Sequence, residues 1–184
     1  MPVDIRLTYD DFCLLPNDGK RYEIIDGELL VTPAPMSLHQ RVVTRLTIAL
    51  GAFVDNHRLG EVFVSPFDVV LSFYDVVEPD IVFISKARAS RLTSKNLQGA
   101  PDLVIEVLSE STSRIDRTTK LKLYARHDVV EYWIIDPEKP HAEVYRRGPQ
   151  GLEFVTRIDR QGSLTSPLLA GFSVALADLV EIRI

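Results

Sequence analysis

The chain has one cysteine, Cys13, among its 184 residues. A single thiol cannot form a disulfide within the chain, and it excludes zinc sites that need several thiolates. No run of apolar residues approaches the ~20 that a membrane-spanning helix requires. The first residues lack the basic and then apolar pattern of a secretory signal. We therefore expect a soluble protein of a reducing compartment, most simply the cytoplasm.

Several catalytic motifs are also missing. No glycine-rich phosphate loop follows a strand, no Gly-x-Ser-x-Gly turn is present, and neither His127 nor His141 belongs to a His-Glu-x-x-His helix. Aromatic residues make up only 8%, which disfavours a glycosidase, because its sugar-binding cleft is usually lined with aromatic residues. The net charge of −5 excludes a polybasic coat over the whole molecule, although a local basic surface stays open.

The signals that are present alternate between strands and helices. Asp26-Gly27 between two β-rich runs predicts a hairpin, which Pro33 and Pro35 end. Apolar residues at helical spacing predict a long helix over residues 38–56. Residues 102–108 are apolar on both strand faces, which predicts a central strand.

A second helix is predicted from Ser111 or Thr112 to about Arg126, followed by alternating strands over residues 131–158. The order of hairpin, helix, strands, helix and strands indicates a mixed α/β fold rather than a regular βαβ repeat. We expect one domain over residues 1–184, with a central mixed sheet flanked by helices, an N-terminal hairpin and a C-terminal β-meander.

Glu106 stands between Ile105 and Val107 in the most apolar strand. Burying an unpaired carboxylate costs several kcal/mol or forces its protonation, so a cation, a metal or a hydrogen-bond network must compensate. The alternative is a strand-edge glutamate that reaches solvent. The apolar residues on both faces favour burial.

Asp80 follows Pro79 at the start of another apolar strand, where a turn aspartate is the equally weighted alternative. Asp102 and Glu106 lie ~13 Å apart along one strand, too far for one ion to bridge. If the strand after Asp80 pairs antiparallel with that of Glu106, these two carboxylates converge and Asp102 lies at the far end. A convergent pair of carboxylates suits Mg²⁺ or Mn²⁺.

Lys120 lies within the apolar arc of the second helix, whereas Lys122 lies on its polar face. A snorkelling lysine, or an i,i+4 pair with Asp116, would explain this position. The functional alternative brings the ammonium to the carboxylate pair, where it neutralises charge and orients an attacking water. We favour the latter because it gives Glu106 a partner.

Two further groups are weaker candidates. His39 lies in the apolar arc of the first long helix, where a satisfied core or capping histidine is the simpler explanation. Glu23 and Glu28 flank the hairpin turn, where carboxylates are usually solvated. Either could complete a metal site if the hairpin folds over it, and Glu28 is slightly preferred.

Positive charge is concentrated between residues 86 and 126, where nine Lys or Arg residues face four acids. Such a field could hold phosphates beside the acidic pair, although charged loops and helix faces are common. The predicted nucleic-acid contacts are Lys86, Arg88, Arg91, Lys95 and Arg117.

Short motifs along most of the chain resemble the Uma-type endonuclease family, a branch of the PD-(D/E)xK nuclease superfamily. The motifs are Tyr22-Glu-Ile-Ile-Asp-Gly-Glu28, Pro35 with His39, Glu78-Pro-Asp80, Pro101-Asp-Leu-Val-Ile-Glu-Val-Leu-Ser109, Asp116-x-x-x-Lys120-x-x-x-Tyr124 and Glu131-Tyr-Trp-Ile-Ile-Asp136.

The resemblance implies a restriction-endonuclease-like core, often dimeric, so we expect a homodimer. It also implies a divalent metal, Mg²⁺ or Mn²⁺, held by Asp80 and Glu106 with the backbone carbonyl of Val107. Leu108 occupies the usual lysine position of the superfamily, and Lys120 is the matching lysine in this branch. The implied activity is endonucleolytic hydrolysis of nucleic acid, preferentially DNA.

The predicted catalytic residues are therefore Asp80, Glu106 and Lys120, with His39 and Glu28 as assistants. Two other classes stay open. One is a catalytically inactive module that keeps the fold and binds nucleic acid or protein. The other is a protein in which the acids and the lysine form only a buried structural ion-pair network.

Overall fold

The computed structural model describes residues 6–32 and 36–181 of the chain. Pro33 and Pro35, predicted to end the hairpin, lie outside the described residues. The helical segments are α1 (Tyr9–Phe12), α2 (Ser37–His57), a 3₁₀ helix (Lys86–Arg91), α3 (Ser113–Ile115), a π-helical segment (Asp116–Lys120), α4 (Leu121–Arg126) and α5 (Leu176–Val180). The strands are β1 (Arg21–Ile25), β2 (Glu28–Thr32), β3 (Gly60–Val64), β4 (Val69–Ser72), β5 (Asp75–Val77), β6 (Ile81–Ser85), β7 (Leu97–Gln98), β8 (Leu103–Val107), β9 (Glu131–Asp136), β10 (His141–Gly148), β11 (Gly151–Asp159), β12 (Ser163–Ser166) and β13 (Leu169–Ala175).

A six-stranded mixed sheet has the order β11-β10-β9-β8-β6-β3. All five residues of β8 are buried, so the prediction of a central strand is confirmed. β8 pairs parallel with β9 and antiparallel with β6. Strands β9, β10 and β11 form the predicted meander. Alternate residues of β8 belong to two cores, since side chains of a strand point to opposite faces.

The first of these cores lies between the six-stranded sheet and α2. Leu46 and Leu50 of α2 pack there with Ile105 of β8 and Trp133 of β9. The amphipathic pattern of α2 is thus satisfied by one face of the sheet. The observed α2 differs from the predicted residues 38–56 by one residue at each end.

A second mixed sheet, which the sequence did not predict, has the order β2-β1-β5-β4-β7. It contains the hairpin β1–β2, whose Asp26 and Gly27 have φ values of 53° and 84°. Positive φ at both turn residues matches the twist of a two-residue hairpin and favours this dipeptide. The hairpin is therefore confirmed, but it pairs with the short strand β5 rather than with the central sheet.

The predicted second helix is continuous over residues 113–126 but changes its hydrogen-bonding pattern in the middle. Asp116–Lys120 is π-helical and lies between α3 and α4. We call residues 113–126 the interrupted helix. Leu123 and Tyr124 pack in the second core with Val104 of β8, so the helix covers the face of the sheet opposite α2. Among the helices described, none is long and apolar enough to cross a membrane.

Candidate active site

Charged side chains gather at the end of the sheet where β6 begins and β8 ends. Ile81 pairs antiparallel with Ile105, which is the condition under which Asp80 and Glu106 were expected to converge. Asp80, just before β6, and Glu106, near the end of β8, therefore lie at the same end. Side chains from the hairpin, α2 and the interrupted helix reach this end as well.

Lys120 lies among three carboxylates. Its ammonium donates to Glu106 Oε1 at 2.8 Å and to Glu23 Oε1 at 2.9 Å, and it lies 3.7 Å from Asp116 Oδ1. The Tyr124 hydroxyl donates to the same Glu106 oxygen at 2.9 Å. Each of these five residues is at most 2% exposed. Burial alone would lower the pKa of Lys120, but the carboxylates raise it well above its usual value, so the ammonium stays charged.

Asp80 is bound on both carboxylate oxygens. Arg21 Nη1 donates to Oδ1 at 2.8 Å, while His39 Nε2 lies 3.0 Å from Oδ2. The backbone N–H of Val107 donates to Oδ2 at 2.8 Å. Burial would raise the pKa of Asp80, but His39, Arg21 and the Val107 N–H together lower it to about 2. Asp80 is therefore ionised at neutral pH.

Glu106 experiences the opposite balance. Burial raises the pKa of Glu106 to about 8 even though Lys120 favours the ionised form, and the charges of Asp116, Asp80 and Glu23 add to the increase. Burial also raises the pKa of Asp116. The pKa values of Glu106 and Asp116 are raised for the same reason. Burial disfavours the charged carboxylate, and a single ammonium cannot offset three buried carboxylates.

A small cavity of about 60 Å³ opens onto this network between the hairpin and the interrupted helix. Its polar lining includes Glu23, Asp116 and Lys120, and Thr112 lies at its wall. Two buried polar atoms of the site, Asp116 Oδ1 and His39 Nδ1, have no hydrogen-bond partner among the described residues. Buried polar atoms of this kind usually have a water or an ion as partner.

The donor atoms of this site suit a hard divalent cation, because they are carboxylate oxygens and one of them, Asp116 Oδ1, accepts no hydrogen bond from the described residues. The arrangement itself is closed: Arg21 and Lys120 are bound to Asp80 and Glu106. Across the described part of the chain, no three His, Cys, Asp or Glu side chains are grouped to hold a metal. A metal at this position would have to replace contacts that these two cations now make.

The structure does not bring the predicted site residue Glu28 into this network. Glu28 pairs with Ile25 next to the hairpin turn and is exposed. Glu23 lies two positions further from the turn, where β1 faces the interrupted helix, and it binds Lys120. Position along the strand, rather than residue type, separates the two.

The predicted basic loop lies at the opposite end of β6 from Asp80. Lys86 follows the last residue of β6 and Asp80 precedes its first, which places the loop ~20 Å from Asp80. Arg88 donates to the carbonyls of Ala100 and Pro101, and Arg91 donates to that of Ala100.

These two arginines therefore support the backbone of the loop and do not face the site. Arg88 also forms an ion pair at 3.3 Å with Asp102, which lies at the far end of β8 as predicted. Lys86 and Lys95 are exposed at the same end of the molecule.

Arg117, the remaining predicted nucleic-acid contact, is directed toward the meander. Its Nε donates to Glu143 Oε1 at 3.0 Å, and its Nη2 lies 3.8 Å from Asp136 Oδ2. The guanidinium is thus paired with two carboxylates of the protein.

Arg21, Asp116 and Tyr124 were not predicted as site residues. Arg21 and Glu23 are two residues apart on β1, so both project from the same strand face, which also carries the buried Ile25. Charged residues on a buried face are the same signal that identified Glu106. Asp116 and Tyr124 were visible as the i−4 and i+4 neighbours of Lys120 on its helix face.

Known proteins agree with this architecture. The Uma2 family, described as "Putative restriction endonuclease", matches residues 9–177. The chain belongs to the Uma2 family. The match spans most of the residues that form the two sheets, so the predicted family is confirmed. No protein of curated function matches the chain.

A crystal structure described as a "putative nuclease belonging to DUF820" from Anabaena variabilis ATCC 29413 is similar to this Uma2 chain. The TM-score is 0.79 at 23% identity, over 95% of this chain and 97% of the other. At this identity the similarity establishes the mixed fold, and the chemistry must be argued from the residues of the site.

Proposed function

We propose that this Uma2 chain is a divalent-metal-dependent endonuclease that hydrolyses phosphodiester bonds of DNA. The observation that carries the proposal is an excess of buried negative charge among the described residues of the site. Four carboxylates, Glu23, Asp80, Glu106 and Asp116, share two permanent cations, Arg21 and Lys120. A network with only a structural role gains from balanced charge, because a buried unpaired charge costs several kcal/mol. Without metal, burial raises the pKa of Glu106 to about 8. With Glu106 ionised, as a metal ligand must be, the four carboxylates exceed the two cations by two charges, which is the charge of one divalent ion.

Mg²⁺ or Mn²⁺ would be held by Asp80 and Glu106, with the backbone carbonyl of Val107 as a further ligand. When bound, such an ion supplies Lewis acidity toward the scissile phosphate and lowers the pKa of water. Carboxylate and carbonyl oxygens support this choice of metal, because they are the ligands that hard cations prefer.

Lys120 stabilises developing negative charge or orients the attacking water through its N–H groups. Because its pKa is raised, it stays protonated and does not accept the proton of the nucleophile. Glu23 and Tyr124 fix this arrangement, since Glu23 binds the ammonium and Tyr124 binds Glu106. His39 holds the orientation of Asp80.

A catalytically inactive binding module is the second candidate. The observation that favours it is that both oxygens of Asp80 already accept hydrogen bonds or ion pairs from Arg21, His39 and Val107. Such a module binds nucleic acid in a salt-dependent way but does not cleave it, whichever divalent ion is added. The proposed homodimer is independent of this choice and would be tested by light scattering.

Nicking of supercoiled plasmid DNA with Mg²⁺ or Mn²⁺ tests the proposal. We expect Asp80→Ala and Glu106→Ala to abolish cleavage. The closer replacements Asp80→Asn and Glu106→Gln should also abolish it, and circular dichroism should show that these variants keep the fold. Asp102→Asn is the matched control, because Asp102 is a buried acid that directly precedes β8, at the end of the strand far from Glu106. Folded variants at Asp80 and Glu106 that cleave like the parent would refute the assignment. DNA binding without cleavage by the parent would support the inactive module.

A further inference from the structure

A second opening lies on the outer side of the interrupted helix, away from the buried network. It is a groove of about 460 Å³ between this helix and the turn of the hairpin. Its polar lining consists of Asp26, Arg114, Thr118, Thr119, Lys122 and Arg126. The function proposed above does not use any of these residues.

The groove is rich in cations that are available to a ligand. Arg114 and Lys122 are exposed, and within the described residues neither forms an ion pair. Arg126 is bound to Asp26 at 2.9 Å and to Asp75 at 3.2 Å, so the acid in the lining is already neutralised. The remaining charge of the groove is positive, which favours an anionic ligand.

The positions of the cations favour an extended ligand over a single small anion. Arg114 and Lys122 are eight residues apart on the helix, which corresponds to about 12 Å along its axis. One strand of DNA has a phosphate about every 3.4 Å of helix axis, so this length matches three or four phosphates.

The groove also adjoins the entrance of the candidate active site. Ile115 and Thr112 line the small cavity that leads to Lys120, and Arg114 lies between them in sequence on the groove side. The same helix therefore presents Asp116 and Lys120 inward and Arg114 and Lys122 outward. A strand that follows the groove would reach the entrance at the first turn of the helix.

We propose that this groove binds the phosphodiester backbone of a nucleic-acid strand and leads it to the active site. The proposal rests on the proposed nuclease function and places a DNA-binding surface beside the entrance of the site, whereas the loop at residues 86–95 lies at the other end of β6. Arg114 and Lys122 contact phosphates, and Thr119 adds a hydroxyl donor. Such contacts give affinity without base specificity.

Fluorescence anisotropy with a labelled duplex of mixed sequence, in Ca²⁺ or EDTA to prevent cleavage, tests the groove. We expect Arg114→Gln/Lys122→Gln to bind about tenfold more weakly at 100 mM salt. The slope of log K against log salt should fall by about two, because each lost phosphate contact removes about 0.9. Lys86→Gln/Lys95→Gln removes the same charge from the opposite end of β6 and should bind within about twofold of the parent.

Equal affinity of the groove variant and the parent would overturn the proposal, as would an equal loss in the Lys86/Lys95 variant. Tighter binding of polyglutamate than of the duplex at equal charge concentration would overturn it too, because it would indicate an acidic protein as the ligand. If the parent cleaves DNA while the groove variant keeps its affinity, only the groove assignment fails. If the parent neither binds nor cleaves, the proposed function fails with it.

Discussion

Lys120 on the interrupted helix donates to Glu106 on β8 across 2.8 Å, and both side chains are almost completely buried. The pair does not stand alone, because Glu23 and Asp116 approach the same ammonium. Loss of the lysine therefore removes the cation that contacts three carboxylates, whereas loss of one carboxylate brings the cluster closer to neutrality. Substitutions at the two ends of this contact should differ sharply in their effect.

We predict that Lys120→Met lowers the free energy of unfolding by about 3–5 kcal/mol, the usual cost of removing one partner from a buried pair. Glu106→Gln should cost less than about 1.5 kcal/mol, because Lys120 keeps Glu23 and Asp116 as partners. Urea unfolding without metal measures both values. A large loss for Glu106→Gln, together with no metal binding by calorimetry, would instead indicate a structural ion-pair network.

The two glutamates of the hairpin provide a matched test of the position of the site. Glu23→Gln should reduce cleavage at least tenfold, because Glu23 binds the ammonium of Lys120 and accepts the backbone N–H of Glu78 at 2.9 Å. Glu28→Gln should leave cleavage and stability within about twofold and 0.5 kcal/mol of the parent, since Glu28 is exposed. Plasmid nicking and urea unfolding measure these effects. Equal losses for the two variants would contradict the assignment of Glu23.

Much of the fold could be predicted because the elements concerned are determined by residues that are close together in the sequence. The Asp26-Gly27 turn, the apolar face of α2 and the fully apolar β8 each follow from a few neighbouring residues. The inward direction of Lys120 also followed from helical periodicity, and the interrupted helix keeps it although its middle is π-helical.

Features that depend on distant pairing could not be derived in this way. The second sheet forms through β5 and the two-residue β7, which are too short to give a pattern. The roles of Arg21 and Glu23 depend on how the hairpin lies against the interrupted helix. Similarly, the local charge of residues 86–95 gave no sign that β6 would carry this loop to the opposite end of the sheet.

Arg21 occupies the position that a cation would need beside Asp80. Its Nη1 lies 2.8 Å from Asp80 Oδ1, and its Nε is buried without a partner among the described residues. We predict that Arg21→Gln binds Mn²⁺ several-fold more tightly by calorimetry, because a competing cation has been removed. Without metal, the same variant should be less stable, since Asp80 loses its counter-charge.

The exposed Arg160→Gln serves as the control for this measurement and should bind Mn²⁺ like the parent. Unchanged or weaker Mn²⁺ binding by Arg21→Gln would show that Arg21 does not compete for Asp80. A Mn²⁺-dependent gain in unfolding temperature that is larger in the variant than in the parent would give the same answer independently.

Asp75 joins the hairpin turn to the end of the interrupted helix and should make stability fall in acid. Burial alone would raise the pKa of Asp75, but His127 at 3.0 Å, Ser72, the Asp26 N–H and Arg126 together lower it strongly. An unfolded aspartate titrates near pH 4, so the stabilisation is complete above about pH 4 and is lost as the pH falls below it.

Asp75→Asn should therefore be less stable than the parent at pH 7 but should lose less stability between pH 7 and pH 3. Urea midpoints at the two pH values measure the difference. Asp128→Asn is a suitable control, because Asp128 is 82% exposed and asparagine tolerates its positive φ of 62°. It should show the same pH dependence as the parent. If the Asp75 variant also follows the parent between pH 7 and pH 3, then acid sensitivity arises elsewhere, and the network around Asp80 becomes the next group to test.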